Sequence, residues 1–258
     1  MRRLKTLLWL ESRRSWVWAV ALVGSLAFWA WGLNQVGAEG VAERFGIRVG
    51  LLGLAAALGA LALCFMIGRI RSETRQGQYQ ILLLTPPSGY VHIAARFAFA
   101  LAIGILYAVA IGGLAWWSAA RAGVRFDAAS VLQLVLVCPL YGVGVFLVPL
   151  LSWTLLLMVF VSAYRVSETG WIPGTVMVLG TPFLVHWYTA GLARLAFALP
   201  GWHLFGGVWL LLQQSSVGDQ MDLSTGGIVL PQVPLWGMLL VSLALLFLAG
   251  RIWQEVEG

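Results

Sequence analysis

Six uninterrupted apolar runs constrain this chain more than any other feature. They lie near Trp16 to Leu33, Val49 to Ile67, Phe97 to Ser118, Ala128 to Tyr164, Trp171 to Leu192 and Pro234 to Ala249. A helix crosses the hydrocarbon core of a bilayer in about 20 predominantly apolar residues. Within lipid, each backbone N–H and C=O must find its partner inside the protein, which selects helices for runs of this length. The chain is 60% hydrophobic and 10% charged, whereas a soluble domain carries roughly a quarter of its residues as charges. The expected fold is therefore an all-α membrane protein of six transmembrane helices, forming a single domain over residues 1–258.

The fourth run is long for one crossing, about 55 Å if helical throughout. Its middle, Gly142 to Leu151, offers no polar turn at which two spans could be joined. One long helix, bent near Pro139 or Pro149, is the expectation.

The N-terminus has the basic start of a signal peptide, but its apolar stretch exceeds the 7 to 15 residues of a signal core, so it is read as a span. Residues 1–15 place Leu4, Leu7 and Leu8 on one helical face with basic residues around the rest. That pattern predicts an interfacial elbow helix, anchored by Trp9 and Trp16, before the chain turns into the membrane. Other tryptophans, including Trp31, Trp116, Trp117, Trp171 and Trp253, fall near predicted span ends, where an amphipathic ring suits the headgroup level.

Charge placement sets the orientation. With both termini cytoplasmic, Arg2, Arg3, Lys5, Arg13, Arg14, Arg69, Arg71, Arg75, Arg96, Arg165 and Arg251 lie inside, against Arg44, Arg48, Arg121, Arg125 and Arg194 outside. Eleven against five favours that arrangement in a cell membrane. The net charge of +6 then has a membrane explanation, and nothing in the chain reads as a nucleic-acid module.

Between the second and third runs, Glu73 to Ser88 reads E-T-R-Q-G-Q-Y-Q-I-L-L-L-T-P-P-S. Ser72 is placed to cap a helix and Glu73 to complement its dipole. Pro86 and Pro87 stop it, predicting a short helix over 73–84. Tyr79, Leu82, Leu83 and Pro86 recur at i, i+3, i+4 and i+7, so one face is apolar. A cytoplasmic docking element and an interfacial helix resting on headgroups both fit this pattern, and periodicity by itself names no partner.

Catalytic motifs are absent. There is no H-E-x-x-H, no G-x-S-x-G and no G-x-x-x-x-G-K-[ST], and His92, His186 and His203 lack metal-ligand spacing. Any ATP-driven activity would need a separate subunit. Cys64 and Cys138 fall within apolar runs and receive no disulfide or metal role. Gly50, Gly53, Gly104, Gly112 and Gly113 are candidates for close helix approach.

The segment from Glu73 to Ser88, in its six-span setting, resembles the corresponding cytoplasmic segment of ABC-2 type transporter permeases, which typically reads E-x-x-x-G-T-L-E-x-L-L-x-T-P-x-S. Glu73, Gly77, Leu82, Leu83, Thr85, Pro86 and Ser88 match it, while Gln78, Tyr79 and Gln80 replace the usual T-L-E. The resemblance implies an exporter permease subunit working with a second copy of itself or a related permease. A partner ATPase would bind ATP and Mg2+. Glu73, Gly77, Tyr79, Leu82, Leu83, Thr85 and Pro86 would form the coupling helix seated in that ATPase.

For the translocation pathway the sequence offers His186, Tyr188 and Thr154, intramembrane polar groups in apolar runs. For His186, a bond to a neighbouring carbonyl is the competing role, and for Ser152 and Thr154 a bond back to their own helix. The external segment 199–233 contains a mostly apolar stretch, Trp202 to Leu212, that is too short to span and reads as a re-entrant or interfacial helix, with a polar stretch after it. Two other classes stay open. One is an intramembrane hydrolase using Ser152 or Ser162 with His186, and the other a non-translocating accessory subunit that docks an ATPase.

Overall fold

The computed structural model describes residues 2–35, 41–68, 89–121, 128–163, 180, 202–204, 228–230 and 232–257. Five long helices account for nearly all of them: α1 (Arg2–Gln35), α2 (Val41–Gly68), α3 (Gly89–Arg121), α4 (128–163) and α5 (Gln232–Glu257). Each contains a stretch long and apolar enough to cross a membrane, namely Ser15–Gln35, Ile47–Gly68, Tyr90–Arg121, Ala128–Val161 and Gln232–Glu255. These coincide with five of the six apolar runs. The remaining run, Trp171 to Leu192, lies outside the described residues except for Gly180. The helices turn large apolar side chains outward, among them Val23, Phe65, Leu106 and Leu240. That surface suits lipid and not water, and the chain is a multi-pass all-α membrane protein.

Named contacts fix the helix directions. Tyr107 of α3 reaches Ala55 of α2, and Arg48 reaches Ser118, so α2 and α3 are antiparallel. Ser25 meets Tyr107 and Asn34 meets Arg121, so α1 and α3 are parallel. Gly104 faces Leu147 and Gly112 faces Pro139, which turns α4 against α3, and Gly68 faces Met158 near the end of α4. The last turns of α5 pack on the start of α3, through Tyr90 with Phe247 and His92 with Trp253. Leu235 near the start of α5 meets Gly144 mid-way along α4, so α4 and α5 run in the same direction. The start of α1, the end of α2, the start of α3 and the ends of α4 and α5 thus share one end of the bundle. α3 packs against all four other helices, and the apolar core gathers Leu63 and Ile67 of α2, Leu151, Leu155 and Val159 of α4 and Ala249 of α5.

The helix α1 departs from the expected elbow. It is continuous from Arg2 to Gln35, and no turn separates residues 1–15 from the span. The local sequence explains this: the stretch around Ser15 contains neither Gly nor Pro, so nothing interrupts the i to i−4 ladder. Trp9 and Trp16 are both exposed on it. Trp31 and Trp116 are also exposed near span ends, but Trp253 is buried, its ring 6.1 Å from that of His92, and serves the core instead of the headgroup level.

The expected single helix over the fourth run is present, and its prolines are accommodated without a break. A proline lacks the N–H for the bond to the carbonyl four residues earlier, and its ring crowds that carbonyl. In α4 a π-helical turn precedes each proline, Gln133–Val137 before Pro139 and Val143–Leu147 before Pro149. Cys138 N–H donates to Gln133 O and Val148 N–H to Val143 O, reaching back one residue further than in an α-helix. The first of these turns brings the carbonyls of Leu134 and Val135 toward α3. A Cβ on Gly112 would stand 2.8 Å from Pro139 Cγ, 2.9 Å from Val135 O and 3.0 Å from Leu134 O. Only glycine fits there, because two of the three neighbours are backbone.

Trp202–Leu204 forms a strand, β1, paired antiparallel with β2 (Ile228–Leu230) in the register Trp202↔Leu230, His203↔Val229, Leu204↔Ile228. This corrects the helical reading at the start of Trp202 to Leu212, whose later residues lie outside the described set. In the partner strand Ile228 and Val229 are β-branched, which favours extended pairing, and that pairing, distant in sequence, is invisible to a local periodicity.

Gly112→Ala is expected to destabilise the protein by about 1 to 3 kcal/mol through overpacking. Gly113→Ala, whose Cβ meets nothing within 4 Å, is expected to be neutral or mildly stabilising. Denaturant unfolding of the two variants in detergent, followed by tryptophan fluorescence, checks the contrast.

Candidate functional site

The residues chosen for ATPase coupling, Glu73, Gly77, Tyr79, Leu82, Leu83, Thr85 and Pro86, lie outside the described residues, as do His186 and Tyr188. Thr154 is described and is fully buried between α4 and α2. Its hydroxyl donates to Leu150 O at 2.7 Å and lies 3.5 Å from Cys64 Sγ. Ser152 likewise bonds back to Val148 O at 2.8 Å, and Ser242 of α5 to Met238 O at 2.6 Å. Back-bonding of this kind satisfies a hydroxyl where no water is at hand. Thr154 therefore faces a packed helix interface among the described residues.

A concavity lies elsewhere among the described residues. A groove of about 500 Å3 runs between α1 and α2, with Tyr107 of α3 as its floor. Trp18, Leu22, Phe28 and Trp29 line it from α1, and Leu58 and Ala62 from α2. Gly59 makes room for the floor, since a Cβ at that position would collide with the Tyr107 ring. Other close approaches by glycine are at Gly104 against Leu147, Gly112 against Pro139, Gly144 against Leu235 and Gly250 against Tyr90, whereas Gly50 and Gly53 face open space.

At the back of the groove three helices share two hydroxyls. Tyr107 OH donates to Ala55 O at 3.2 Å, Ser25 Oγ donates to Leu22 O at 2.7 Å, and the two oxygens are 3.2 Å apart. Two protons serve three contacts, so whichever hydroxyl turns toward the other leaves its carbonyl for that moment. Each oxygen has a partner in either arrangement, and the groove presents an apolar wall with no unsatisfied hydroxyl. Sequence reasoning passed over this cluster because neither residue carries a charge at neutral pH. Its signal was a single tyrosine and a single serine, each near the middle of an apolar run.

At the end of the bundle away from the chain termini, two arginines hold the helix ends together. Arg48 Nη1 of α2 donates to Ser118 O at 2.9 Å in the last turn of α3, where a cation complements the helix dipole. Arg121 donates to Asn34 Oδ1 of α1, and its guanidinium lies 4.6 Å from the Trp117 ring. Two of the five arginines counted on the minority side of the charge balance thus have structural work at that level.

Tyr107→Phe removes the bond to Ala55 and the contact with Ser25, and is expected to cost about 0.6 to 2 kcal/mol, the range of interhelical hydrogen bonds in membranes. A double-mutant cycle with Ser25→Ala, read by unfolding in mixed micelles, should give a non-zero coupling energy; additive losses would show that the pair does not interact.

Comparison of the chain with protein-family models, with characterised proteins and with solved structures finds no match in any of the three.

Proposed function

We propose that this chain is the membrane-spanning permease subunit of an ATP-driven exporter of the ABC-2 type, set in a cell membrane with both termini cytoplasmic. The observation that carries the reading is the sequence from Glu73 to Ser88, a capped amphipathic helix signal stopped by two prolines in the loop where that family couples to its ATPase. Helix directions support it. Gly68 and Gly89, which flank this loop, are at the end of the bundle that also holds the starts and ends of the chain, where Arg2, Arg3, Lys5, Arg13, Arg14 and Arg251 concentrate positive charge. The parallel course of α4 and α5 is the arrangement that one further crossing between them, over Trp171 to Leu192, would produce.

In this reading a partner ATPase holds ATP and Mg2+, and its closure pushes on Leu82, Leu83 and Tyr79. A second copy of the chain, or a relative, completes the pathway, with His186 and Tyr188 contributing polar groups to it. Thr154 would join them only if α2 and α4 part. The hydrolase reading draws no support from Ser152, which is fully buried and donates its proton to its own helix.

Affinity purification of the tagged protein in mild detergent tests the proposal. A P-loop ATPase should co-purify with vanadate-sensitive ATP turnover, and Leu82→Asp with Leu83→Asp should insert normally but lose both. A chain that purifies alone and inert toward ATP, or a double variant that still recruits the ATPase, would sink the assignment.

A further inference from the structure

We propose that the groove between α1 and α2 is a binding site for an anionic phospholipid of the leaflet on the N-terminal side, one acyl chain filling the groove and the phosphate lying at Arg13 and Arg14. The inference does not depend on the ATPase reading.

The chemistry of the wall selects hydrocarbon. Its two hydroxyls, Ser25 and Tyr107, are already bonded to backbone carbonyls and lie against each other. No hydroxyl proton is left for a ligand acceptor, so a carbonyl or phosphate oxygen entering here would be desolvated without a donor, whereas a hydrocarbon chain loses nothing. The rest of the lining, including Trp18, Leu22, Phe28 and Leu58, is apolar, and the volume of about 500 Å3 lies within the range of small-ligand sites.

The groove's position favours the leaflet on the N-terminal side. From Trp18 to Trp29 along α1 is about 16 Å at 1.5 Å per residue, against about 15 Å for half of the hydrocarbon core. Trp18 is only three residues, about 5 Å, beyond Ser15, where the apolar part of α1 begins. The groove therefore begins about 5 Å inside the boundary on the N-terminal side and reaches about 6 Å past the bilayer centre, so that it lies nearer this boundary than the opposite one.

Charge at the mouth selects the headgroup. Because α1 continues unbroken beyond the membrane, Arg13 and Arg14 stand in the turn immediately before Ser15. Position 14 falls on the same stripe of the helix as 18, 21, 25 and 28, one turn from the groove. Arg13 is exposed, its guanidinium 5.1 Å from the ring of Trp9, an arrangement suited to the headgroup level. A phosphate placed at that level by a chain seated in the groove lies beside the turn of α1 that carries both arginines.

The test is native mass spectrometry of the full-length protein in mild detergent, titrated with palmitoyl-oleoyl phosphatidylglycerol or with phosphatidylcholine carrying the same chains. One phosphatidylglycerol should bind per chain, with a preference over phosphatidylcholine of roughly fivefold or more, as expected for even one well-placed basic residue. Arg13→Gln with Arg14→Gln should abolish the preference and leave phosphatidylcholine binding as it was. Gly24→Trp, which projects into open space in the groove, should weaken both lipids, with Gly24→Leu as a smaller filler if the first variant fails to insert. Arg121→Gln, at the opposite end, should retain the preference. Three results would overturn the site: equal binding of the two lipids to the unaltered chain, lipid binding indifferent to the Gly24 fillers, or loss of preference on Arg121→Gln as large as on the Arg13 and Arg14 change. Efficient cross-linking of Gly24→Cys copies to one another would also overturn it, by showing a second chain in the groove.

Discussion

In hydrocarbon no water is at hand to satisfy a peptide group, and the architecture of this chain follows from that constraint. It is most visible in α4, where Pro139 and Pro149 each remove a donor from the middle of a span. The helix responds by widening into a π-turn ahead of each proline, so that the residue before it bonds five positions back. The first widened turn is tolerated only because α3 presents Gly112 to the displaced carbonyls. A backbone problem in one helix is thus solved jointly by a glycine in another. The same demand explains the serine and threonine hydroxyls of α4 and α5, which return to their own carbonyls one turn earlier.

α3 is the element on which the other helices are arranged. Its glycines receive Leu147 and Pro139 of α4, its first turns hold the end of α5, and its last turn is gripped by Arg48 of α2 and reaches Asn34 of α1 through Arg121. Tyr107, in its middle, ties α1 and α2 together at one point and forms the floor of the groove between them. Such contacts matter in a bilayer because lipid tails are as apolar as leucine, so that helix association rests on close packing and interhelical hydrogen bonds instead of burial from water.

The exporter reading stands on a sixteen-residue signal in the chain, joined to a fold whose helix directions bring Gly68, Gly89, the start of α1 and the end of α5 to one end. The lipid reading stands on tertiary geometry, on a groove that no single helix contains and whose hydroxyls are already spent. The unbroken α1 connects them, since its basic first turns are at once the expected partner-facing end of the bundle and the mouth of the groove.

The number of apolar crossings among the described residues, their limits to within a few residues, and the persistence of α4 through two prolines were legible in the sequence, because span length is fixed by bilayer thickness and each helix satisfies its own backbone. So was the back-bonding of Ser152 and Thr154, a property of a hydroxyl and its own preceding turn. What the sequence could not show is everything that depends on which helix faces which. Nothing local to Tyr107 says that Gly59 makes room for its ring, and nothing in Trp202–Leu204 says that Ile228–Leu230 will pair with it. Hydropathy reports that a residue is in the membrane and is silent on which way it faces, because a membrane helix is apolar all round. Only the tertiary structure decided that Gly112 meets a proline while Gly113 faces open space, and that two mid-span hydroxyls close the back of a groove.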